Sequence, residues 1–207
     1  MIDRIIERMK QSPDFLNLIG RMWSVFNIEG TTPDVGKRRE NFVRIALEKE
    51  LGFKLQRPET ELQRQIDFFI IEKNVKSPYS FKSTTSHTIK VAWDGNVTED
   101  RLRHFSFKNP ILLLYKSKDE KRLSGFYVFD VDDLNSVMQQ MGKNFWPTIN
   151  PLSNPRGFGP SGKALTRLLE IAVQKKNFVE VNFPRITVDE EKYWTEWYNF
   201  MKGVLLS

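Results

Sequence analysis

The sequence contains no cysteine. Disulfides, thiolate catalysis and cysteine-ligated zinc are therefore excluded, and an intracellular, cytoplasmic location is the default expectation. Long apolar runs are also missing, because no stretch has the length of a membrane span. The opening segment, MIDRIIERMK, is amphipathic and charged, unlike a secretory signal. We therefore expect no membrane partner.

Histidine is scarce, with only two residues, His87 and His104. Their spacing makes no histidine-based zinc site. Histidine catalysis without a metal would need a partner that the sequence does not identify. We interpret His87 as a phosphate contact or a packed residue, and His104 as structural.

Positive charge, in contrast, is in excess. The formal net charge is +6 and the isoelectric point is near 9.4, which favours a polyanionic partner because neutralising phosphates releases counterions. The same charge is also compatible with a basic protein that binds no nucleic acid. With 207 residues, 40% hydrophobic and 28% charged, the chain is predicted to form one folded domain with a substantial core.

Periodic apolar residues predict two opening helices that break at Ser12-Pro13, and a third helix over 37–51 that Gly52 ends. Runs of β-branched and aromatic residues predict strands over 66–71, 79–82, 88–93 and 178–183, and a hairpin of 111–115 with 125–129. Later helices are predicted over 132–141, over 163–175 and from Asp189. This order indicates an α/β or α+β fold, a central mixed sheet flanked by helices. Its parts are helices and a loop (1–35), a core (36–130) and a C-terminal part (131–207).

Three residues could carry chemistry. Asp67 is an acid inside the apolar run QIDFFII, where an unpartnered carboxylate would be costly. Lys82, in YSFKSTT, ends the next predicted strand, and Glu40 lies on the preceding helix. Neighbouring strands and a flanking helix can bring these side chains together. Two carboxylates and a lysine are a minimal set for Mg²⁺-assisted phosphodiester hydrolysis.

These segments resemble the type II restriction endonucleases with the PD…(D/E)xK core, over roughly 36–169. GKRRENFVRIAL is similar to the helix of that family with an active-site glutamate, and IDFFII and SFKS are similar to its two catalytic strands. A third segment, NPRGFGPSGKAL, is similar to a stretch seen in several such enzymes. The resemblance implies Glu40 and Asp67 as metal ligands, with the carbonyl of Phe81 completing the coordination, and Lys82 as the catalytic lysine.

One position departs from the pattern. Where the family has an acid two residues before the lysine, this chain has Ser80. Glu40 would then have to supply the second carboxylate, because binding through one carboxylate would be weak.

Other matches to the pattern are interpreted as decoys. Pro33-Asp34 reads as "PD" but lies in a predicted loop, and the literal (D/E)xK matches, 119–121 and 190–192, lie in a turn and at a helix start. The chosen residues also have ordinary interpretations. Glu40 could be an exposed acid paired with Arg44 at i+4, and Asp67 and Lys82 could be edge-strand charges.

Basic and polar residues near these segments are the candidate DNA contacts. Arginine can read guanine, and a helix N-terminus can hold phosphate. The candidates are Lys37, Arg38, Arg39, Ser83, His87, Lys90, Asn154, Arg156, Ser161 and Lys163. Trp93 is a further contact or a packed residue. The loop with Thr31, Thr32 and Asp34 is a second candidate for base reading, and the loop at 154–163 could instead be a simple chain reversal.

The resemblance thus implies a Mg²⁺-dependent, sequence-specific double-stranded DNA endonuclease that leaves 5′-phosphate and 3′-hydroxyl ends, as in a restriction-modification system. A two-fold symmetric DNA site implies a homodimer. The aromatic residues Trp194, Trp197, Tyr198 and Phe200, or the opening helices, could form its interface or belong to the core. The alternatives are a structure-specific repair or recombination nuclease and a non-catalytic basic DNA-binding protein.

Overall fold

The computed structural model describes residues 2–28, 35–59, 65–91, 99–118, 122–147 and 158–205. Within these ranges the chain forms seven helices and a six-stranded sheet. The helices are α1 Ile2–Lys10, α2 Pro13–Ile28, α3 Val35–Lys49, α4 Glu99–Arg103, α5 Val131–Met141, α6 Gly162–Gln174 and α7 Glu190–Leu205. The strands are β1 Lys54–Gln56, β2 Phe68–Glu72, β3 Val75–Thr84, β4 Ile111–Tyr115, β5 Gly125–Phe129 and β6 Phe178–Glu180.

The sheet follows chain order, β1-β2-β3-β4-β5-β6, and separates two hydrophobic cores. Only β3 and β4 are parallel among the described strands; the other neighbours are antiparallel. On one face, α1, α2 and α3 pack against alternate strand residues such as Phe81 and Leu112. On the other face, α5 and α6 pack against the intervening residues such as Leu113 and Tyr127. This two-faced burial is what a mixed sheet flanked by helices requires.

The hairpin of β2 and β3 has a two-residue turn, Lys73-Asn74, whose φ angles are 47° and 65°. Positive φ at both central positions is typical of the tight turns that match the twist of paired strands. The turn fixes the register from Glu72 opposite Val75 back to Phe68 opposite Tyr79. This register places Asp67, the residue before β2, beside the middle of β3.

Most predicted elements are found with shifted ends. The helix predicted over 37–51 is α3, and Gly52 follows it with a φ of 65°. The hairpin predicted at 111–115 and 125–129 is β4 and β5, and a short 3-10 helix, Gly142–Phe145, follows α5.

The strand predicted over 88–93 is wrong for residues 88–91, which belong to no strand. Ile89 and Val91 are nevertheless buried, and the N–H of Val91 donates to the carbonyl of Phe158 at 2.8 Å. The alternating pattern therefore reflected burial of Ile89 and Val91 and not pairing in the sheet. Residues 92 and 93 lie outside the described part of the chain. Strand β1, of three residues, was not predicted.

The opening helices and α7 differ in burial. Ile5, Met9, Phe15 and Trp23 of α1 and α2 are buried in the core. Trp194, Trp197, Tyr198 and Phe200 of α7 are exposed, so they do not belong to the core. No helix of the described residues combines the length and the apolar character needed to cross a bilayer.

We predict that Gly159→Ala lowers the free energy of unfolding by about 1–3 kcal/mol, because overpacking of this size has that typical cost. A Cβ at Gly159 would lie 1.8 Å from the carbonyl oxygen of Ile89, where the loop after β3 meets the segment before α6. Denaturant unfolding measures the effect. The control is Gly203→Ala, which meets no atom within 4 Å and should not destabilise the protein. Equal stability of Gly159→Ala and the wild type would contradict the close approach.

Candidate active site

Asp67 lies at the start of β2, where the strand separates from β3. Its backbone N–H donates to the carbonyl of Tyr79 at 2.8 Å, which continues the ladder by one residue. Beyond this point none of the described strands pairs with β3 on the β2 side, while β4 pairs with it on the other side. The result is a notch in the sheet, bounded by Asp67 and by the second half of β3.

One carboxylate oxygen of Asp67 accepts three hydrogen bonds. The donors to Oδ2 are the Ser80 hydroxyl at 3.1 Å, the Phe81 backbone N–H at 2.7 Å and the Lys82 Nζ at 3.0 Å. The side chains of Asp67 and Lys82 are only 21% and 19% exposed. Charge-assisted bonds of this kind are stronger than neutral ones, so the pair is held in a defined position. The predicted neighbours Asp67 and Lys82 are therefore brought together.

The backbone of Phe81 faces the notch. Ser80 N–H donates to Pro110 and the Thr84 carbonyl accepts from Lys116, so these even-numbered peptide groups face β4. Because backbone groups alternate in direction along a strand, those of Phe81 point the opposite way. Its N–H already bonds to Asp67 on that side, and its carbonyl therefore opens into the same notch.

Glu40 approaches the notch from α3. Its carboxylate accepts a bond from Lys37 Nζ at 2.8 Å, and its side chain is 14% exposed. Burial raises the pKa of Glu40, and the charge of Asp67 raises this pKa further, against the lowering effects of Lys37 and Lys82. Arg44, the partner in the ordinary interpretation, instead pairs with Glu48 at 3.1 Å. Glu40 is therefore within electrostatic range of both Asp67 and Lys82.

The donor set at the notch fits a hard divalent cation. Mg²⁺ prefers oxygen ligands, usually one or two carboxylates together with water. Glu40 and Asp67 place two negative charges in a poorly solvated region, and among the described residues no donor reaches Oδ1 of Asp67. The described residues contain no group of three or more Asp, Glu, His or Cys suited to a metal. Glu40, Asp67 and the Phe81 carbonyl are therefore the candidate ligands.

Ser80 occupies the position of the missing acid. It is 3% exposed, and its hydroxyl is turned toward Asp67. A serine here adds a neutral donor to Asp67 where a carboxylate would add a third negative charge. Ser80 therefore gives the notch one carboxylate fewer and adds a hydrogen bond to Asp67.

The predicted DNA contacts on α3 differ in their surroundings. Lys37 and Arg38 are exposed beside Glu40. The guanidinium of Arg39 instead lies over the ring of Trp23, with 3.8 Å from Cζ to the ring centroid. Arg39 therefore packs against α2, and its part in DNA contact stays a prediction.

The predicted contacts after β3 lie near the N-terminus of α6. Lys90 and Lys163 are both exposed. The Ser161 hydroxyl caps α6 by accepting from the N–H of Ala164 at 3.3 Å, and it donates to the carbonyl of Asn144. Ser161 therefore stabilises the start of α6 and links it to the carbonyl of Asn144.

Ser83 and His87 have different environments. The Ser83 hydroxyl is buried and has no hydrogen-bond partner among the described residues. His87 is exposed, and its Nδ1 lies 2.9 Å from a guanidinium nitrogen of Arg122, which also donates to Thr166 on α6. His104, interpreted as structural, is exposed at the end of α4. Asn154, Arg156, Trp93, Asp34 and the turn at 119–121 lie outside the described residues.

Sequence reasoning missed two basic residues. Arg122 links the loop after β3 to α6, and Lys116 follows β4 directly. Both lie in the charged stretch KSKDEKRL, which forms the turn between the two strands of the predicted hairpin. Its composition gave no signal that Arg122 and Lys116 face the same end of the sheet as Lys82.

No protein-family model matches the chain, and no curated protein matches it. A solved structure described as a restriction endonuclease in complex with substrate DNA matches with a TM-score of 0.62 and 17% identity, covering 96% of this chain and 93% of that one. The chain has a restriction-endonuclease-like fold. The predicted fold class is thereby confirmed, while the roles of Glu40, Asp67 and Lys82 stay predictions.

We predict that Glu40→Gln increases the free energy of unfolding at neutral pH. The folded-state pKa of Glu40 is raised above its usual 4.5, so the folded protein binds the proton more tightly than the unfolded chain does. Wild-type stability should then fall as pH rises from about 4.5 through the raised folded-state pKa. Thermal unfolding across this pH range should show a smaller fall in Glu40→Gln than in the wild type, because the raised pKa of Asp133 contributes to the fall in both proteins.

The matched control is Glu48→Gln on the same helix, which removes the partner of Arg44. We expect it not to stabilise the protein. A loss of stability in Glu40→Gln at neutral pH would contradict a raised pKa for Glu40 in the folded protein.

Proposed function

We propose that this protein is a Mg²⁺-dependent endonuclease that cuts double-stranded DNA at specific sequences. The observation that carries the proposal is the contact between Asp67 and Lys82 at 3.0 Å in the notch beside β3, with Glu40 within electrostatic range. The order helix glutamate, strand aspartate and strand lysine is the order that the resemblance to restriction endonucleases implies. The similar solved structure, which holds substrate DNA, supports DNA as the partner.

In this proposal, Glu40, Asp67 and the Phe81 carbonyl hold the cation. When bound, Mg²⁺ polarises the scissile phosphate and makes the attacking water more acidic. Lys82, fixed by Asp67, orients that water or neutralises charge that develops on the phosphate. Water adds to phosphorus and gives up a proton to the solvent, the bond to the 3′ oxygen breaks, and that oxygen takes up a proton from the solvent. The ends are then a 5′-phosphate and a 3′-hydroxyl, a polarity inferred from the family resemblance.

A second candidate is a DNA-binding protein that does not cut. The observation that favours it is Ser80, which stands in place of an acid and bonds to Asp67 at 3.1 Å. Such a protein would bind DNA with an affinity that falls with salt, but it would leave DNA intact at any Mg²⁺ concentration.

We predict that the purified protein cuts unmodified phage DNA into discrete fragments with Mg²⁺ and leaves it intact with EDTA. Asp67→Ala and Lys82→Ala should each lose at least ~100-fold in cleavage rate, since removal of one preorganised catalytic group typically has that effect. Lys76→Ala is the control, because Lys76 is an exposed lysine at the other end of the same strand. Gel electrophoresis gives the fragments. A smear without discrete bands would support a structure-specific nuclease, and shifted but uncut DNA would support the second candidate.

We further propose that the protein is a homodimer formed through α7. One side of this helix carries large exposed apolar residues at spacings of three and four, namely Trp194, Trp197, Tyr198, Phe200 and Val204. About half of each side chain is exposed, and an aromatic residue can bury ~150–250 Å², so two copies could bury ~1,000 Å². That area reaches the lower limit for a specific interface.

The charges on α7 favour an antiparallel pair. Glu190 and Glu191 lie in the first turn, and Lys202 lies in the last. Antiparallel packing of two copies sets each acidic end against the basic end of the other helix, whereas parallel packing would oppose like charges. Two-fold symmetry relates the two helices in this arrangement, as an isologous dimer requires.

We predict that the wild type sediments as a dimer and that Trp197→Glu with Phe200→Glu sediments as a monomer, because two buried charges would oppose an apolar interface. Val75→Glu is the control, since Val75 is an exposed apolar residue at the β2–β3 turn. Analytical ultracentrifugation makes the measurement. A monomeric wild type, or a dimer that persists in the double variant, would contradict an interface through α7.

A further inference from the structure

Lys116 follows β4 at the end of the sheet where the candidate active site lies. Its backbone N–H donates to the carbonyl of Thr84, the last residue of β3, at 3.0 Å. Thr84 is two residues beyond Lys82, which is about 7 Å along a strand, or two base-pair steps of DNA. The backbone of Lys116 therefore lies beside β3 two residues beyond Lys82, at the same end of the sheet as the notch.

Aromatic rings support Lys116 and a neighbouring arginine. Lys116 Nζ lies 5.6 Å from the ring centroid of Phe183, and Arg39 lies over Trp23. The rings of Phe183 and Trp23 meet edge to face at 5.3 Å. Stacking against rings holds cations in place without neutralising them. Arg39, Lys116 and the nearby Arg185 are called the cationic cluster below.

The charges of Lys116 and Arg185 are electrostatically unfavourable beside each other. Burial lowers the pKa of Lys116, and the charges of Arg185 and Arg39 lower it further. Among the described residues, no carboxylate pairs with Lys116 or Arg185. Like charges gathered in a partly desolvated region destabilise a protein unless an anion joins them.

We propose that Lys116 and Arg185, together with Arg39, bind a phosphate group of the DNA backbone beside the scissile phosphate. This inference rests on the proposed function and adds a contact that no motif indicated. Phosphate contacts position a nucleic acid without reading its sequence. The cluster would therefore set how far the DNA enters the notch beside Asp67 and Lys82.

Charge reversal at Arg185 gives the sharpest test, because it separates stability from binding. Arg185→Glu should keep or raise the melting temperature, since a carboxylate at this position would relieve the repulsion on Lys116. The same variant should bind a short DNA duplex in EDTA roughly tenfold more weakly at moderate salt. The slope of log affinity against log salt should fall by about 1. Lys116→Gln should weaken binding by a similar factor, and Lys76→Glu, at the other end of β3, is the matched control.

Three outcomes decide the proposal. Weaker binding and a smaller salt slope in Arg185→Glu and Lys116→Gln, with Lys76→Glu unchanged in both, would support it. Wild-type affinity and slope in both cluster variants, in a protein whose wild type still cuts DNA, would overturn the inference and leave the proposed function standing. If inorganic phosphate raises the melting temperature of the wild type and not of Arg185→Glu, while DNA binding is equal in both, the site binds free phosphate and the DNA assignment is overturned.

Discussion

A single carboxylate oxygen organises the centre of this protein. Oδ2 of Asp67 accepts bonds from Ser80, Phe81 and Lys82, three consecutive residues of β3. Because these donors are a hydroxyl, a backbone N–H and an ammonium group, they fix both the strand and the lysine relative to one oxygen. The bonds also extend the contact between the two strands just before β2 begins, and beyond that point none of the described strands pairs with β3 on that side. The shape of the notch and the orientation of the Phe81 carbonyl depend on this contact.

Much of the fold follows from local pattern. Helix α3 was predictable because its apolar residues recur at helical spacing, and the hairpin of β4 and β5 because each strand is a short, continuous apolar run. The strand predicted at 88–91 is absent because the alternation of buried and exposed residues there comes from burial of Ile89 and Val91 and not from strand pairing. The aromatic residues of α7 could not be assigned to core or surface, since an amphipathic helix has the same sequence whether the chain itself or another molecule covers it.

The candidate site was predictable to a lesser degree. Asp67 and Lys82 were identifiable because an acid within an apolar strand needs a partner, and the family resemblance supplied one. The approach of Glu40 depends on how α3 packs, which the sequence does not state, and a pair with Arg44 was equally compatible with its spacing. The surroundings of Lys116 could not be predicted, because Phe183 and Arg185 are far from it in the sequence and approach it only in the folded protein.

The one parallel pair among the described strands has a consequence for folding kinetics. Asp67 and Lys82 are 15 residues apart, and the tight turn between their strands makes their pairing local. Pairing of β3 with β4 must instead close a loop from Thr84 to Ile111, and long-range contacts of this kind form more slowly. The hairpin that carries the carboxylate and the lysine is therefore expected to form before the rest of the sheet. Until β4 arrives, one edge of β3 stays open to pairing with other chains, which makes docking of β4 the step most exposed to aggregation.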